Sequence, residues 1–232
     1  MIISHKHKFI FIKTAKTAGT SIEIYLSQFC GENDVITEIF PEKSNHQPQN
    51  FKGRFNIFRE LYFTRGRYLK KTLSCFIEKL KFYNHMPATF VKARIDKKTW
   101  DSYYKFCVER DPWSKSISNF NMKLYRRENI KDFDEYLMKF KCLNYPLYTD
   151  FKNPNKIIVD KVIDYKNLNK ELDVVFKKIG IPFSGSLNTK SKHNYKENSD
   201  KKKFILNKNQ IDLIAKQNFR EISLFGYQYN KK

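Results

Sequence analysis

The stretch FIFIKTAKTAGTS, residues 9–21, leads from a short apolar run through a polar loop into a periodic segment. Its first four residues are all apolar, which is typical of a strand that is buried on both faces. Ile22, Tyr25, Leu26 and Phe29 then recur at the i, i+3, i+4, i+7 spacing of an amphipathic helix. The stretch therefore predicts a strand, a tight loop and a helix, an arrangement whose loop can bind a phosphate.

The polar loop of this unit carries the groups that an anion requires. Small residues let the backbone close around an anion with its N–H groups directed inward, and the following helix adds the positive end of its dipole. The candidate binding residues are Lys16, Thr17, Ala18, Gly19, Thr20 and Ser21. A Walker A loop has its lysine after the glycine, whereas Lys16 precedes Gly19, so the pattern disfavours a nucleoside triphosphatase. The alternative is a polar capping loop with an incidental lysine.

A second strand-loop-helix unit follows downstream. Apolar and polar residues alternate over 104–109, which predicts a strand, and Asp111 fits the N-cap position with Pro112 as the first helical residue. Arg110 ends the strand, and its planar guanidinium suits a phosphate because it donates two parallel hydrogen bonds. Ser118 lies on the helix, where its hydroxyl can join the guanidinium. The alternative is that Arg110 pairs with a neighbouring carboxylate and Ser118 packs against the sheet.

The rest of the chain continues the alternation of strands and helices. Residues 156–163 predict one or two further strands, and residues 172–179 predict a helix. Asn207 or Asn209 is expected to cap a last helix. This order predicts an α/β fold, a three-layer sandwich around a central, mainly parallel sheet. In such sheets ligands bind beyond the carboxyl ends of the strands, where both polar junctions lie. A length of 232 residues fits a single domain, 1–232.

The amino-acid composition limits the classes to which the protein can belong. The 45 Lys and Arg residues outnumber the 24 Asp and Glu residues and give a formal net charge of +21. This surplus either attracts polyanions or consists simply of lysines solvated at the surface. A hydrophobic content of 41% excludes a disordered polycation. No apolar run approaches the ~18 residues of a membrane span, and no secretory signal is evident. The four cysteines are widely spaced, which indicates reduced thiols of a cytoplasmic protein.

Together the two motifs resemble the donor-binding segments of sulfotransferases that use 3′-phosphoadenosine-5′-phosphosulfate (PAPS). Residues 9–21 resemble the 5′-phosphosulfate loop, written PKTGGTS or PKTAGTS, and residues 106–120 resemble the 3′-phosphate segment, F-V-R-[DN]-P-x-x-R-x-x-S-x-[YF]. Weaker likenesses lie at 162–168, 188–193 and 224–227. The resemblance is strongest to the carbohydrate, Golgi-type branch that includes heparan sulfate 2-O-sulfotransferases, and it implies a soluble, bacterial-type member with a P-loop-like nucleotide-binding fold.

The sequence departs from the family pattern in three places. Ala15 replaces the proline before the lysine, which removes rigidity and no ligand group. Lys115 stands where the second motif often has arginine and is expected to keep the positive charge. Tyr165 and Lys166 replace a phenylalanine-glutamate pair, so no role is carried onto them.

The resemblance implies a PAPS-dependent sulfotransferase, an enzyme that transfers a sulfuryl group to an acceptor hydroxyl by in-line attack. Lys16, the loop N–H groups and the hydroxyls of Thr20 and Ser21 would meet the charge that develops on the leaving 5′-phosphate. Arg110 and Ser118 would hold the 3′-phosphate and orient the donor. No metal is required by this chemistry.

His85, in the segment NHMPA at 84–88, is the candidate general base, because the carbohydrate branch has a similar histidine between the two motifs. The alternative is a surface or capping histidine. The other histidines outside the late loop, His5, His7 and His46, are expected to be solvated. His193, together with Lys190 and Lys192, is expected to close over the donor.

The acceptor is the least determined element. Residues 41–100 are expected to form an acceptor-side insertion, in which the basic, aromatic stretch 52–81 is either a groove for a hydroxyl-bearing saccharide or a solvated helix face. Two other functions compete with transfer. One is a nucleic-acid-binding protein without catalysis, since aromatic residues among Lys and Arg can stack on single strands. The other is an atypical nucleotide kinase. No recognised nucleic-acid-binding module is present, so we expect no nucleic-acid partner.

Overall fold

The computed structural model describes residues 1–39, 46–187 and 205–229. Within them the chain forms one five-stranded sheet in the order β3-β1-β2-β4-β5. The strands are β1 (Ile2–Ser4), β2 (Phe9–Phe11), β3 (Val35–Ile36), β4 (Tyr104–Glu109) and β5 (Lys161–Asp164). The α-helices are α1 (Gly19–Ser27), α2 (Phe58–Leu61), α3 (Gly66–Ile77), α4 (Ala88–Arg94), α5 (Lys97–Ser102), α6 (Pro112–Tyr125), α7 (Phe133–Lys139), α8 (Tyr145–Tyr148), α9 (Leu168–Lys178), α10 (Lys208–Gln217) and α11 (Phe219–Phe225).

The sheet is mixed, so the prediction of a mainly parallel sheet is wrong. Strands β2, β4 and β5 are parallel, but β1 pairs antiparallel with both β2 and β3. The cause is the short connection between Ser4 and Phe9, which reverses the chain into a hairpin and leaves no room for a crossover helix. The short strands β1 and β3 carry too little alternation to be recognised in the sequence, whereas β2 was recognised from the continuous apolar run at 9–12.

Helices cover both faces of this sheet, as the three-layer prediction requires. On one face Phe9 and Phe11 pack in a core with residues of α1 and α9. On the other face Ile10 and Cys107 pack with residues of α4 and α5. Burial on both faces explains why residues 9–12 form a continuous apolar run. A third core joins α6 and α7 to α10, and none of the described helices is long and apolar enough to cross a membrane.

The parallel pairing of β2 with β4 sets the position of the candidate site. Phe11 lies opposite Phe106, and the chain stays paired one residue further, where Ile12 N donates to Phe106 O at 2.9 Å. Both strands therefore end at the same edge of the sheet, which we call the carboxyl edge. The predicted helix of the second motif begins there with Asp111 as its N-cap, whose carboxylate accepts from Ser114 N. Both predicted junctions are confirmed as strand-to-helix connections.

At the opposite edge a single carboxylate holds the β1–β2 turn. Asp34 accepts hydrogen bonds from Ser4 Oγ at 2.7 Å, His5 N at 2.6 Å, Lys6 N at 3.2 Å and Gly31 N at 2.9 Å. Burial alone would raise the pKa of Asp34, but these hydrogen bonds outweigh it and hold the pKa below its ordinary value.

Replacing Asp34 with Asn is expected to lower the free energy of unfolding by roughly 1–3 kcal/mol at pH 7, because the amide nitrogen cannot accept from these donors. A carboxyl whose pKa is depressed by folding stabilises the native state above its unfolded pKa, and this stabilisation is lost as the pH falls through the folded value. Urea unfolding should therefore show the difference between wild type and Asp34→Asn at pH 7 and a smaller difference below pH ~4. A difference independent of pH would contradict this account.

Candidate active site

The β2–α1 loop, residues 12–18, has a backbone shaped to surround an anion. Lys16 and Ala18 have left-handed φ values of 62° and 59°, and such residues turn successive N–H groups toward one side of the chain. Ala18 is also the N-cap of α1 and has no side-chain acceptor for the first N–H groups of the helix. These N–H groups are the ones that bind anions at helix N-termini.

Position 19 requires glycine, because the start of α1 approaches Lys13 and Thr14 too closely for a side chain. A Cβ atom at position 19 would lie 2.8 Å from Lys13 Cγ and 3.3 Å from Thr14 O. The Lys13 side chain cannot easily move away, because its Nζ is buried and lies 2.6 Å from Glu23 Oε2. Glycine therefore allows α1 to begin directly over the end of β2.

The hydroxyls of the loop divide into two groups. Thr17 is buried: its Oγ1 donates to Thr14 O at 3.1 Å and lies 2.8 Å from Thr14 Oγ1, which donates in turn to Val108 O of β4. The Thr17 hydroxyl thus fixes the loop to the sheet, although the sequence suggested it as a ligand group. Thr20 and Ser21 are half-buried on the first turn of α1.

Asn144 ties the loop to the end of β4. Its Oδ1 accepts from Ala15 N at 2.9 Å, and its Nδ2 donates to Ala15 O and to Glu109 Oε1, each at 3.1 Å. Its own N donates to Glu221 Oε1 at 3.1 Å. Asn144 is fully buried. The sequence analysis missed it because it precedes the short helix α8 in a segment without apolar periodicity.

A buried cluster of three charged side chains lies next to Asn144. Lys115 Nζ lies 3.1 Å from Glu109 Oε1 and 3.5 Å from Glu221 Oε1, and all three side chains are fully enclosed. Burial alone would lower the pKa of Lys115, but the two carboxylates outweigh it and raise the pKa, so the ammonium remains charged. Burial raises the pKa of Glu221 despite the attraction of Lys115. Lys115 therefore keeps its charge as expected, but directs it into the core.

Arg110 connects the second motif to the loop. Its Nη1 donates to Lys16 O at 3.3 Å and its Nε donates to Ser114 Oγ at 2.7 Å, while its Cζ lies 4.4 Å from the centre of the Tyr165 ring. Ser118, predicted to join the guanidinium, lies one helical turn beyond Ser114 on the same face of α6. Ser114 is thus a contact of Arg110 that the sequence analysis did not name, and Tyr165 is a neighbour that it left without a role.

His85 lies on the other side of the same loop. Its φ is 57°, and its Nδ1 lies 3.0 Å from Lys13 O. A carbonyl only accepts, so Nδ1 carries the proton and Nε2 keeps its lone pair. Burial, followed by repulsion from the charge of Lys13, lowers the pKa of His85 to about 4. The side chain is therefore a neutral imidazole at pH 7.

The histidines expected to be solvated differ from one another. His5 is exposed, and His7 is half-buried with its Nδ1 3.2 Å from Ile179 O. His46 is only 6% exposed and burial lowers its pKa, so the expectation that it is solvated is wrong. Its place close to the charges of Glu23 and Lys13 was not evident from the sequence. Residues 188–193, including His193, Lys190 and Lys192, lie outside the described residues. The described residues contain no group of three His, Cys, Asp or Glu side chains arranged to hold a metal ion.

Lys16, Arg110 and His85 thus lie around one loop at the carboxyl edge. The loop backbone and the helix N-terminus favour a negative group, the guanidinium favours a second one, and the neutral imidazole can accept a proton. This combination suits the binding of a ligand with two negative groups and a proton transfer beside it.

Comparison with known proteins gives a family but no activity. No family model matches the chain. The chain is 36% identical over 121 residues to an uncharacterized protein of Archaeoglobus fulgidus, an alignment that covers 48% of this chain and 98% of the archaeal protein. The chain belongs to the same family as that protein. The crystal structure of a sulfotransferase from Alicyclobacillus acidocaldarius is similar with a TM-score of 0.41 and 17% identity, over 94% of this chain and 96% of that chain.

Replacing Asn144 with Ala is expected to lower the free energy of unfolding by roughly 3 kcal/mol, because buried groups of Ala15 and Glu109 lose their partner. Asn119→Ala is the matched control, since Asn119 makes a half-buried hydrogen bond to Tyr136 Oη away from the loop. Urea unfolding should give a loss of about 1 kcal/mol for the control. Equal losses in the two variants would show that Asn144 has no special role.

Proposed function

We propose that this chain is a PAPS-dependent sulfotransferase that sulfates a hydroxyl of a carbohydrate-like acceptor. The observation that carries the proposal is the convergence of the two motifs, seen in the 3.3 Å contact between Arg110 Nη1 and Lys16 O. PAPS has a phosphosulfate at one end of a nucleoside and a phosphate on its 3′ oxygen. An anion loop beside an arginine is the arrangement that such a donor needs. The resemblance of both sequence motifs to sulfotransferases points in the same direction.

The β2–α1 loop is proposed to bind the 5′-phosphosulfate. When the acceptor oxygen attacks sulfur, the new O–S bond forms as the bond from sulfur to the bridging phosphate oxygen breaks. Negative charge then develops on the leaving 5′-phosphate. The N–H groups of residues 16–21 and the charge of Lys16 stabilise this phosphate, and they are oriented before the reaction because Asn144 and Thr17 fix the loop.

Arg110 is proposed to bind the 3′-phosphate through its guanidinium. The Ser114 hydroxyl and the Tyr165 ring hold the guanidinium in place, so less side-chain freedom is lost on binding. Ser118, one turn further along α6, is proposed as a second donor to the same phosphate. Nucleotides without a 3′-phosphate would leave the arginine charge without its partner.

His85 is proposed to take the proton of the acceptor hydroxyl at Nε2. Its hydrogen bond to Lys13 O fixes the tautomer that this role needs. Because Lys13 belongs to the β2–α1 loop, the bond also fixes the imidazole relative to the donor. His85 comes from the segment expected on the acceptor side, and we propose that the acceptor approaches the part of this segment around His85, next to the β2–α1 loop.

Arg110→Ala is expected to weaken the binding of adenosine 3′,5′-bisphosphate about 10- to 100-fold, since hydrogen bonds to charged groups contribute ~1.5–3 kcal/mol. Calorimetric titration should show that the wild type prefers the bisphosphate to 5′-AMP and ATP, and that Arg110→Ala loses this preference. Arg220→Ala is the control, because Arg220 contacts Asn155 on the surface. If the wild type binds 5′-AMP as tightly as the bisphosphate, the donor is not PAPS.

His85→Ala is expected to lower kcat at least 100-fold and to leave bisphosphate affinity nearly unchanged, because a general base contributes ~10²–10⁴. A base must be deprotonated, and the pKa of His85 in the free protein is about 4. For the wild type, kcat/KM should therefore stay constant as the pH falls from 8 to about 5 and decline only as it approaches 4. A decline centred near 6.5, the ordinary histidine value, would contradict the assignment. The activity control is His5→Ala, at the other edge of the sheet.

A further inference from the structure

Exposed apolar side chains are concentrated on one part of the molecule. Of the eleven large apolar side chains that are strongly exposed among the described residues, five lie between Phe58 and Ile77. On α3, Leu73, Phe76 and Ile77 are 44%, 46% and 79% exposed. Burying such side chains against another apolar surface is favourable by about 25 cal/mol per Å². Grouped exposure of this kind indicates an interaction surface.

These residues form one stripe of α3 that faces away from the core. Leu69, Leu73, Phe76 and Ile77 follow the i, i+4, i+7, i+8 spacing of a helix face, and we call them the α3 apolar face. A different side of α3, which includes the fully buried Cys75, packs against the protein. One side of α3 thus packs against the core, whereas the α3 apolar face on another side remains exposed.

The surroundings of this face are strongly basic. Residues 58–81 contain seven Lys or Arg and two Glu. One of the two, Glu60, is buried and paired with Arg94, while Lys70 and Lys71 are exposed on α3. The other, Glu78, accepts a hydrogen bond from Ser74. Positive side chains near the exposed apolar stripe therefore outnumber its one exposed carboxylate, that of Glu78.

A basic cleft adjoins the end of the α3 apolar face. Segment 51–54 is hydrogen-bonded to segment 79–82, with Gly53 N donating to Lys79 O at 2.6 Å and Phe82 N donating to Phe51 O at 2.8 Å. Phe55, which continues the first segment, packs edge-to-face on Phe76 with ring centres 5.9 Å apart.

The cleft has a volume of about 510 Å³, and Lys52, Arg54 and Lys81 are among its lining residues. None of these three forms an ion pair with a carboxylate of the described residues. Asp96, the carboxylate in the lining, caps α5 through Thr99 N at 2.8 Å.

The cleft lies at the opposite edge of the sheet from the β2–α1 loop. It is lined by Ile3 and His5, at the end of β1, and β1 runs antiparallel to β2. It also contains Thr99, just before β4. A partner bound there leaves the carboxyl edge open, so this surface is separate from the proposed transferase site.

We propose that the α3 apolar face and the adjoining cleft together bind the surface of an anionic phospholipid bilayer. An amphipathic helix with apolar residues on one side and lysines beside them lies in the membrane interface, with the apolar side among the acyl chains. Lys52, Arg54 and Lys81 would then contact the phosphates of lipid headgroups. An acidic protein would need only a local negative patch, whereas exposed lysines on α3 together with the three cations of the adjoining cleft fit an extended anionic plane. The proposal is independent of the transferase activity.

Sedimentation of the full chain with lipid vesicles tests this surface. Binding is expected to vesicles of phosphatidylcholine with about 30% phosphatidylserine, to fall with added salt, and to be weak with phosphatidylcholine alone. The variant Lys52→Glu/Arg54→Glu should lower the bound fraction at least about fivefold, because each basic residue contributes ~1 kcal/mol. The variant Phe76→Ser/Ile77→Ser should lower it at least about fivefold as well, because it removes apolar side chains from the acyl region. Met138→Ser/Val174→Ser replaces two exposed apolar side chains elsewhere and should bind like the wild type.

A second readout locates the contact. Phe76→Trp should show a blue shift of its added fluorescence on anionic vesicles, whereas Val174→Trp should not. Circular dichroism confirms that each variant is folded. Absence of a preference for anionic vesicles, unchanged binding of both double variants, or binding without a shift at position 76 would overturn the proposal. Capture of an acidic protein together with no vesicle binding would also overturn it.

Discussion

The buried pairing of Lys115 with Glu109 and Glu221 is the constraint on which the candidate site depends. Lys115 is paired with both carboxylates, and Glu221 accepts hydrogen bonds through Oε1 while its buried Oε2 has no partner. Buried charges of this kind are tolerated only when they are paired. Removing one partner of such a group costs about 3–5 kcal/mol, because the other charge is left buried and unpaired. The cluster therefore specifies where β4 ends, how α6 leaves it, and where α11 docks.

Asn144 connects this buried cluster to the β2–α1 loop. A carboxylate can only accept, and Glu109 receives donors from Arg110 N, Lys115, Asn144 and Tyr148. Because Asn144 Nδ2 serves both Glu109 and Ala15 O, its Oδ1 must accept from Ala15 N. One amide thus connects the ends of the two central strands. The loop backbone is held in a left-handed conformation that alanine and lysine adopt only at some cost.

The two motifs were predictable from the sequence because each depends on local signals. The apolar run at 9–12 and the Asp111-Pro112 pair locate β2, β4 and the starts of their helices within a few residues. The hairpin strand β1, the role of Asn144 and the burial of His46 were not predictable, since each depends on contacts between distant residues. Asn144 and Ala15 are 129 positions apart. The contact between Arg110 and Ser114 was not foreseen either, because it depends on how α6 continues from the end of β4.

The distribution of charge follows from the difference between buried and exposed cations. Lys13, Arg94 and Lys115 are buried, and each is paired with a glutamate, so they add little to the field outside the protein. Among the described residues, most of the other Lys and Arg side chains are exposed or half-buried, so they carry the positive surplus there. Exposed charges act over a Debye length of about 8 Å at physiological salt, so their attraction is strong only for a surface or ligand that comes close. The basic cleft and the α3 apolar face concentrate this attraction at the edge opposite the loop, and an anionic surface held there would not compete with a donor nucleotide for Lys16 and Arg110.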